Sequence, residues 1–226
     1  MPDDLANGLG ARNGSRFRWK VVRVCSVVTL LCAPRAAIGA DTFVVDSAAT
    51  HVSIHIGKTG LASFAAGHEH EAVANTVTGQ VAADFDDLSR SSLDVSVQAS
   101  SLKITDRDES PEDVQKVQQA MLGPQVLDVA RFPTIRFRSK AVTGTRVLSG
   151  TYVAAVSGEL SLHGVTKPFT VPLQLESGED ALTATGKMVV KQTEFGIEPI
   201  SAGGGLVKVE DDVTISFQIV ARLRPR

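Results

Sequence analysis

The chain has 226 residues, of which 21% are charged, and its formal net charge is −2. Such a balance carries no electrostatic footprint for nucleic acid or for an anionic membrane surface. A single Trp and a single Tyr also leave too few large aromatics for a base-stacking platform.

The chain begins with Arg16, Arg18, Lys20 and Arg23 as a basic cluster, an apolar run from Val24 to Ala33, and small residues from Ala36 to Ala40 ahead of Asp41. That order is the layout of a secretory signal peptide. The apolar run, about ten residues, is short for a membrane span; an uncleaved anchor is the competing reading. The expectation is cleavage after Ala40. Residues 1–40 are then an N-terminal extension with signal peptide, and residues 41–226 form one exported, periplasmic domain. Cys25 and Cys32 both fall in the removed part, so the mature chain has no disulfide, thiolate nucleophile or cysteine-ligated metal.

Thr42 to Val45 is a short strand candidate. His51 to Ile56 alternates, with Val52, Ile54 and Ile56 on one face and His51, Ser53 and His55 on the other. Glycines and small residues predict a bend or loop up to Gly67-His68-Glu69-His70-Glu71. Val77 to Phe85 and Leu93 to Ala99 carry the next two alternating runs. The period then changes. Ser110 suits a helix N-cap, Pro111 the first helical position, and Glu112 and Asp113 the first turn. Val114, Val117, Met121 and Leu122 share one helical stripe, so a helix from Ser110 to Leu122 is expected to cap one end of the fold.

Ile135 and Phe137 resume the alternation. The longest patterned stretch runs from Tyr152 to Leu175: Tyr152, Ala154, Val156, Gly158, Leu160 and Leu162 share one face, and Phe169, Val171, Leu173 and Leu175 share the returning one. Between them His163-Gly164 supplies a short turn, with Gly164 free to take positive φ. Pro168 is expected at the start of the returning strand rather than inside it, because proline gives the ladder no donor. Leu182 to Val190 and Val213 to Ala221 complete the strands.

Eight or nine strands, one helical insertion and no βα alternation predict an all-β antiparallel meander that closes into a barrel or packs as a sandwich. The inward parity is rich in Val, Ala, Gly and Leu. An eight-stranded barrel lined in this way has room for one elongated ligand.

Three segments then stand out together: Leu127-Asp128-Val129-Ala130-Arg131-Phe132-Pro133-Thr134-Ile135-Arg136-Phe137, Gly158-Glu159-Leu160-Ser161-Leu162-His163-Gly164-Val165-Thr166-Lys167-Pro168, and Glu194-Phe195-Gly196-Ile197. In that order they resemble the YceI-like, polyisoprenoid-binding family of periplasmic proteins, over about residues 41–222. The resemblance implies an extended antiparallel eight-stranded lipocalin-like barrel holding a polyisoprenoid or similar long-chain amphiphilic lipid. One stretch departs from the family pattern. Gly60 to Phe64 is followed by Ala65-Ala66-Gly67-His68-Glu69-His70, which marks a histidine-bearing variant.

His68 and His70 would face the same side of a strand, with Cα atoms about 6.5–7 Å apart. They offer two ligands to a metal where zinc wants three or four. A metal-binding accessory role using His68 and His70, completed by His163, His55 or Glu71, is therefore the alternative to a polar pair at the barrel mouth. His51 and His55 read as ordinary surface residues. His163 reads as a hydrogen-bonding turn residue, since no nucleophile or orienting acid lies near it in sequence. The acidic run from Asp106 to Asp113 lacks the spacing of a calcium loop, Gly203-Gly204-Gly205 lacks the context of a phosphate loop, and no G-x-S-x-G occurs.

The expectation is thus a carrier and not an enzyme, with no catalytic residue and no cofactor beyond a bound isoprenoid lipid. Its partner is a long-chain apolar or amphiphilic small molecule and not nucleic acid; a homodimer stays open. The expected ligand-binding residues are Phe64, His68, His70, Phe137, Val156, Leu160, Leu162, Val190 and Phe195.

Overall fold

The computed structural model describes residues 40–59, 69–106, 109–202 and 207–224. The N-terminal segment with its two cysteines, Phe64, His68 and the Gly203–Gly205 run lie outside the described residues. Among those that are described, no helix is long and apolar enough to cross a membrane.

The strands join into eight staves of a closed antiparallel barrel. β1 (Asp41–Val45) and β2 (His51–Thr59) both run antiparallel to the last strand, β12 (Val207–Leu223), and together form the first stave. At its break the Asp46 N–H donates to the Val220 carbonyl at 2.9 Å, and the Val220 N–H donates to Thr50 Oγ1 at 3.1 Å. Both polar groups of Val220 are thereby satisfied where the ladder stops. β3 (His70–Ala74) and β4 (Val77–Ala83) form the second stave, and β5 (Ser92–Gln98) and β6 (Leu102–Ile104) the third. The rest are continuous: β7 (Thr134–Leu148), β8 (Thr151–Leu162), β9 (Val165–Ser177), β10 (Ala181–Lys191) and β12. β11 (Ser201–Ala202) only adds to β12. Each stave pairs with the next in sequence, and β1 pairs with β12 to close the ring. The all-β class, the eight-stranded barrel and the short helical insertion are as the sequence and the family resemblance led one to expect.

Pro168 departs from expectation. It sits inside β9, opposite Glu159 of β8, and Pro172 sits inside the same strand opposite Ala155. The pairing on the other side explains why both are tolerated. β9 and β10 are laddered only between Leu173–Ser177 and Leu182–Gly186. The turn at His163-Gly164, with φ of 51° and 75°, is a two-residue hairpin turn in which the flanking pair, Leu162 and Val165, is hydrogen-bonded. Residues 166, 168, 170 and 172 therefore turn their backbone groups toward β10, where no ladder forms, and proline costs no strand hydrogen bond there.

The two ends of the barrel differ. At one end Phe43, Val142, Tyr152, Ala154, Leu182 and Ala221 are buried. Phe85 stacks there between Phe43 and Tyr152, with ring centroids 6.1 and 5.6 Å away. That end is filled. The other carries α1 (Pro111–Leu122), capped by Ser110, whose side chain accepts from the Asp113 N–H. Met121 is buried, and Val114, Val117 and Leu122 pack partly buried against the core. α1 also completes the free edge of β6, where Gln118 Nε2 donates to the Leu102 carbonyl at 2.9 Å and Gln118 Oε1 accepts from the Ile104 N–H at 2.8 Å.

Candidate functional site: an apolar lumen with one polar mouth

Between the two ends the inward residues are less buried than a filled core would make them. Ile54, Val81, Val95, Val97, Phe137, Ala184, Ile215, Phe217 and Ile219 all keep partial exposure. They surround a cavity of about 180 Å³ whose described lining is wholly apolar. The inward parity of every stave contributes to this lining, with Leu93, Val95 and Val97 of β5 and Ile215, Phe217 and Ile219 of β12 among it. Gly186 lets the wall come close, since a Cβ there would lie 2.5 Å from the tip of the Phe217 ring.

A second cavity, of about 290 Å³, lies at the helix end. It continues the first along the same strands. Ile54, Ala74 and Leu102 line the inner cavity, and Ile56, His70 and Ile104, farther toward the helix end on those strands, line the outer one. Ala72, fully buried, lies between Ala74 and His70 on β3. Val117, Ala120 and Met121 of α1 line the outer cavity, and its polar side chains are His70, Lys116 and Gln192. His70 Nδ1 bonds Asp106 Oδ2 at 2.7 Å, and Asp106 Oδ1 accepts the Glu71 N–H at 2.7 Å. The side chains of His70 and Asp106 are 20% and 6% exposed. A carboxylate so fixed sets the orientation of the ring.

The expected ligand-binding residues divide accordingly. Phe137, Val156 and Leu160 line the inner cavity. His70 lines the outer one. Val190 and Phe195 are buried in an adjoining cluster with Leu160, and Leu162 packs against it. Phe195, 0% exposed, lies among Val165 and Phe169 of β9 and Met188 and Val190 of β10, the stretch those strands leave unladdered. Its ring stands where a ladder is missing. Sequence reasoning weighed Asp106 only as the start of an acidic run and did not single out Gln192; neither belongs to an alternating run, and the partner that brings Asp106 to the site, His70, lies 36 positions away.

The three segments that carried the family resemblance meet at this same end. His163 Nδ1 donates to the Phe195 carbonyl at 3.1 Å, and the His163 ring meets Phe132 edge-on at 4.9 Å. A Cβ on Gly164 would lie 2.5 Å from the Phe132 ring, which demands glycine beyond its positive φ. Asp128, buried at φ 42°, accepts backbone N–H bonds from Arg131 and Phe132 at its carbonyl. The signature residues thus form a structural lock.

His55 bonds Glu71 at 3.1 Å on the outer surface and approaches Glu69 at 3.7 Å. Among the described residues no three His, Cys, Asp or Glu side chains converge in a way that could hold a metal ion.

Comparison with known proteins agrees with this architecture. The model of the YceI-like domain matches residues 43–221. A UPF0312 protein of Pseudomonas savastanoi pv. phaseolicola is 34% identical over 102 residues, 42% of this chain and 49% of that protein, so the chain spans about half the length of that relative. A UPF0312 protein of Vibrio vulnificus is 29% identical over 71% of this chain and 77% of its own. Among solved structures, BcnA of Burkholderia cenocepacia superposes with a TM-score of 0.58 at 20% identity, covering 78% of this chain and 98% of its own. A polyisoprenoid binding domain from Saccharophagus degradans, implicated in plant cell wall breakdown, does so with a TM-score of 0.55 at 12% identity, covering 82% and 99%. At such identities the likeness is one of fold. The match to the domain model over most of the chain makes the protein a member of the YceI-like family.

Proposed function

We propose that the protein is a periplasmic carrier of a polyisoprenoid or similar long-chain amphiphilic lipid, held with its chain along the barrel axis, and that it catalyses no reaction. The observation that carries this reading is the apolar lumen, whose inward side chains stay partly exposed around a cavity instead of packing to closure. Sites for drug-sized ligands occupy roughly 300–1,000 Å³. Neither cavity, at about 180 and 290 Å³, reaches that range alone, but end to end they do. A lipid chain would fill the inner cavity and pass under α1 into the outer one. Phe137, Val156 and Leu160 would touch the chain, and His70 its head.

The binding activity in the name of the Saccharophagus degradans domain supports the same ligand class. Export rests on the basic, apolar and small-residue order of residues 16–40. The test is organic extraction of protein purified from the periplasm, followed by mass spectrometry. A long-chain lipid in stoichiometric amount is the expected result. Protein that carries no lipid and takes up none from vesicles would overturn the reading.

A further inference from the structure

We propose that the wall beside the filled end carries a second binding site, separate from the lumen, which takes up an extended peptide segment by adding it to an open edge of β7. β5 begins only at Ser92, whereas β7 runs on to Leu148. Their ladder stops at Asp94 and Arg138, and past it the Leu93 N–H donates to Ser139 Oγ at 2.8 Å. Beside the overhanging part of β7 lies no strand but a 3-10 turn, Leu88–Arg90. The pairing with β8 fixes which way the overhang points its backbone. Leu162 and Val165 are a hydrogen-bonded pair, so the odd-numbered residues of β8 bond to β7, where their partners include Ala141, Thr143 and Thr145. Val142, Gly144 and Arg146 therefore turn their N–H and C=O groups away from β8. Among the described residues no backbone group pairs with them on that side.

Three open residues at alternate positions are a template for another strand. Val142 is buried, and a buried backbone group without a partner is rare. Residues 141–148 include neither Pro nor Lys, which blunt natural edges. From Val142 to Arg146 the edge spans about 14 Å, the length of about five extended residues. A cleft of about 530 Å³ lies against it, between these residues and the loop of residues 85–89. Its charges define the segment that fits. The Arg146 guanidinium is held by neutral oxygens: Tyr152 Oη accepts from Nε at 3.1 Å and from Nη2 at 2.7 Å, and the Phe85 carbonyl accepts from Nη2 at 3.3 Å. Nη1 is left to meet a carboxylate. Asp87 is engaged by the Ser89 N–H and hydroxyl. The Asp86 carboxylate lines the same cleft and makes no hydrogen bond or ion pair among the described residues, since Arg90 bonds Asp84 and approaches Asp87. Val147 and Leu148, 51% and 70% exposed, add apolar surface at the end of the edge. The matching occupant is an extended, β-branched peptide segment with one acidic side chain for Arg146 and one basic side chain for Asp86.

The experiment titrates the full mature chain into a fluorescein-labelled peptide of alternating Thr and Val that carries one Glu and one Lys, followed by anisotropy. Saturable binding is expected, together with slowed amide hydrogen exchange at Val142, Gly144 and Arg146. N-methylation of alternate peptide amides, which removes the ladder donors and leaves the side chains, should weaken binding by at least about tenfold. Arg146→Gln should do the same for the peptide with Glu and have no effect on one with Gln in its place. Arg146 also braces Tyr152, so Asp86→Asn, at a carboxylate without a protein partner, is the companion variant; it should weaken the peptide with Lys and spare one with Gln there. No binding by the parent chain, or equal binding of the N-methylated peptide, would overturn the proposal. So would displacement of a fluorescent prenyl probe by the peptide, which would put the peptide in the lumen. A concentration-dependent dimer of the parent chain that protects the same three amides would give the edge to a second copy and overturn the peptide assignment.

Discussion

The Nδ1–H of His163 donates to the carbonyl oxygen of Phe195 at 3.1 Å, and that bond joins the β8–β9 turn to the loop after β10. These are the elements flanking the stretch where β9 and β10 have no ladder. A side chain-to-backbone bond, the edge contact with Phe132 and the buried Phe195 ring together close a seam that backbone pairing leaves open. His163→Ala should therefore lower unfolding stability by about 1–3 kcal/mol, from one lost hydrogen bond and one lost aromatic contact. Urea denaturation measures it. A variant as stable as the parent would show that the seam is held without the histidine.

Ala184 faces the inner cavity and keeps partial exposure. Ala184→Phe puts a ring into space already present, so the expected cost in stability is small, below about 1.5 kcal/mol, where overpacking a filled core costs about 1–3 kcal/mol. Co-purified lipid should fall to a trace. Leu160→Trp makes a useful contrast, because Leu160 is already packed against Val190 and Phe195 and should lose stability as well as lipid. An Ala184→Phe protein that folds normally and keeps its lipid would move the ligand out of the lumen.

The staves were legible because a barrel wall has one apolar face and one wet one, which writes a period of two into every strand. The helix was legible from Ser110 and Pro111, since a capping signal is local. What stayed hidden depends on partners far along the chain. The break in the first stave is stabilised by Thr50 and Val220, 170 positions apart, and the mouth by His70 and Asp106, 36 apart. Pro168 was misplaced for the same reason: whether a strand tolerates proline depends on what lies beside it, and the open seam is a property of β10. Val, Leu and Ala read alike whether they fill a core or line a hollow, so the filled end at Phe43 and Tyr152 and the open lumen at Ile54 and Ile215 could not be told apart by composition.

On the outer wall the guanidinium of Arg136, with desolvation opposing it and Arg138 assisting, holds the Asp94 carboxyl below its ordinary value. Arg136 and Arg138 of β7 both bond this one carboxylate of β5. A carboxyl whose pKa is depressed on folding adds stability above the unfolded-state value of about 3.9, and that stability is lost as pH falls through the lower folded-state value. Stability of the parent chain should therefore decline on acidification below about pH 4, and Asp94→Asn should flatten part of that decline. Side chains on all three residues are well hydrated, so the effect is modest and salt-sensitive. Identical acid profiles for parent and variant, by thermal unfolding at pH 2–5, would show that the cluster contributes nothing to folding.

Gln118 does for β6 what a neighbouring strand would do. Its amide gives a donor to the Leu102 carbonyl and an acceptor to the Ile104 N–H, so α1 is clasped to the free edge of the third stave. The same helix roofs the outer cavity with Val117 and Met121. Gln118→Leu keeps the bulk and removes both bonds, leaving the backbone groups of two buried residues without that partner; a cost of about 1–3 kcal/mol is expected. Because the loss falls at the roof, opening of α1 should become easier, and each 1.4 kcal/mol of it is worth about tenfold in the open population. If lipid leaves by that route, its transfer to acceptor vesicles should speed up several-fold or more in Gln118→Leu. Gln118→Glu retains the acceptor for Ile104 and loses the donor, and should fall between. A Gln118→Leu protein that is destabilised yet releases lipid at the parent rate would exclude the helix end as the exit, and would direct attention to the seam between β9 and β10, where Phe195 stands in for a ladder.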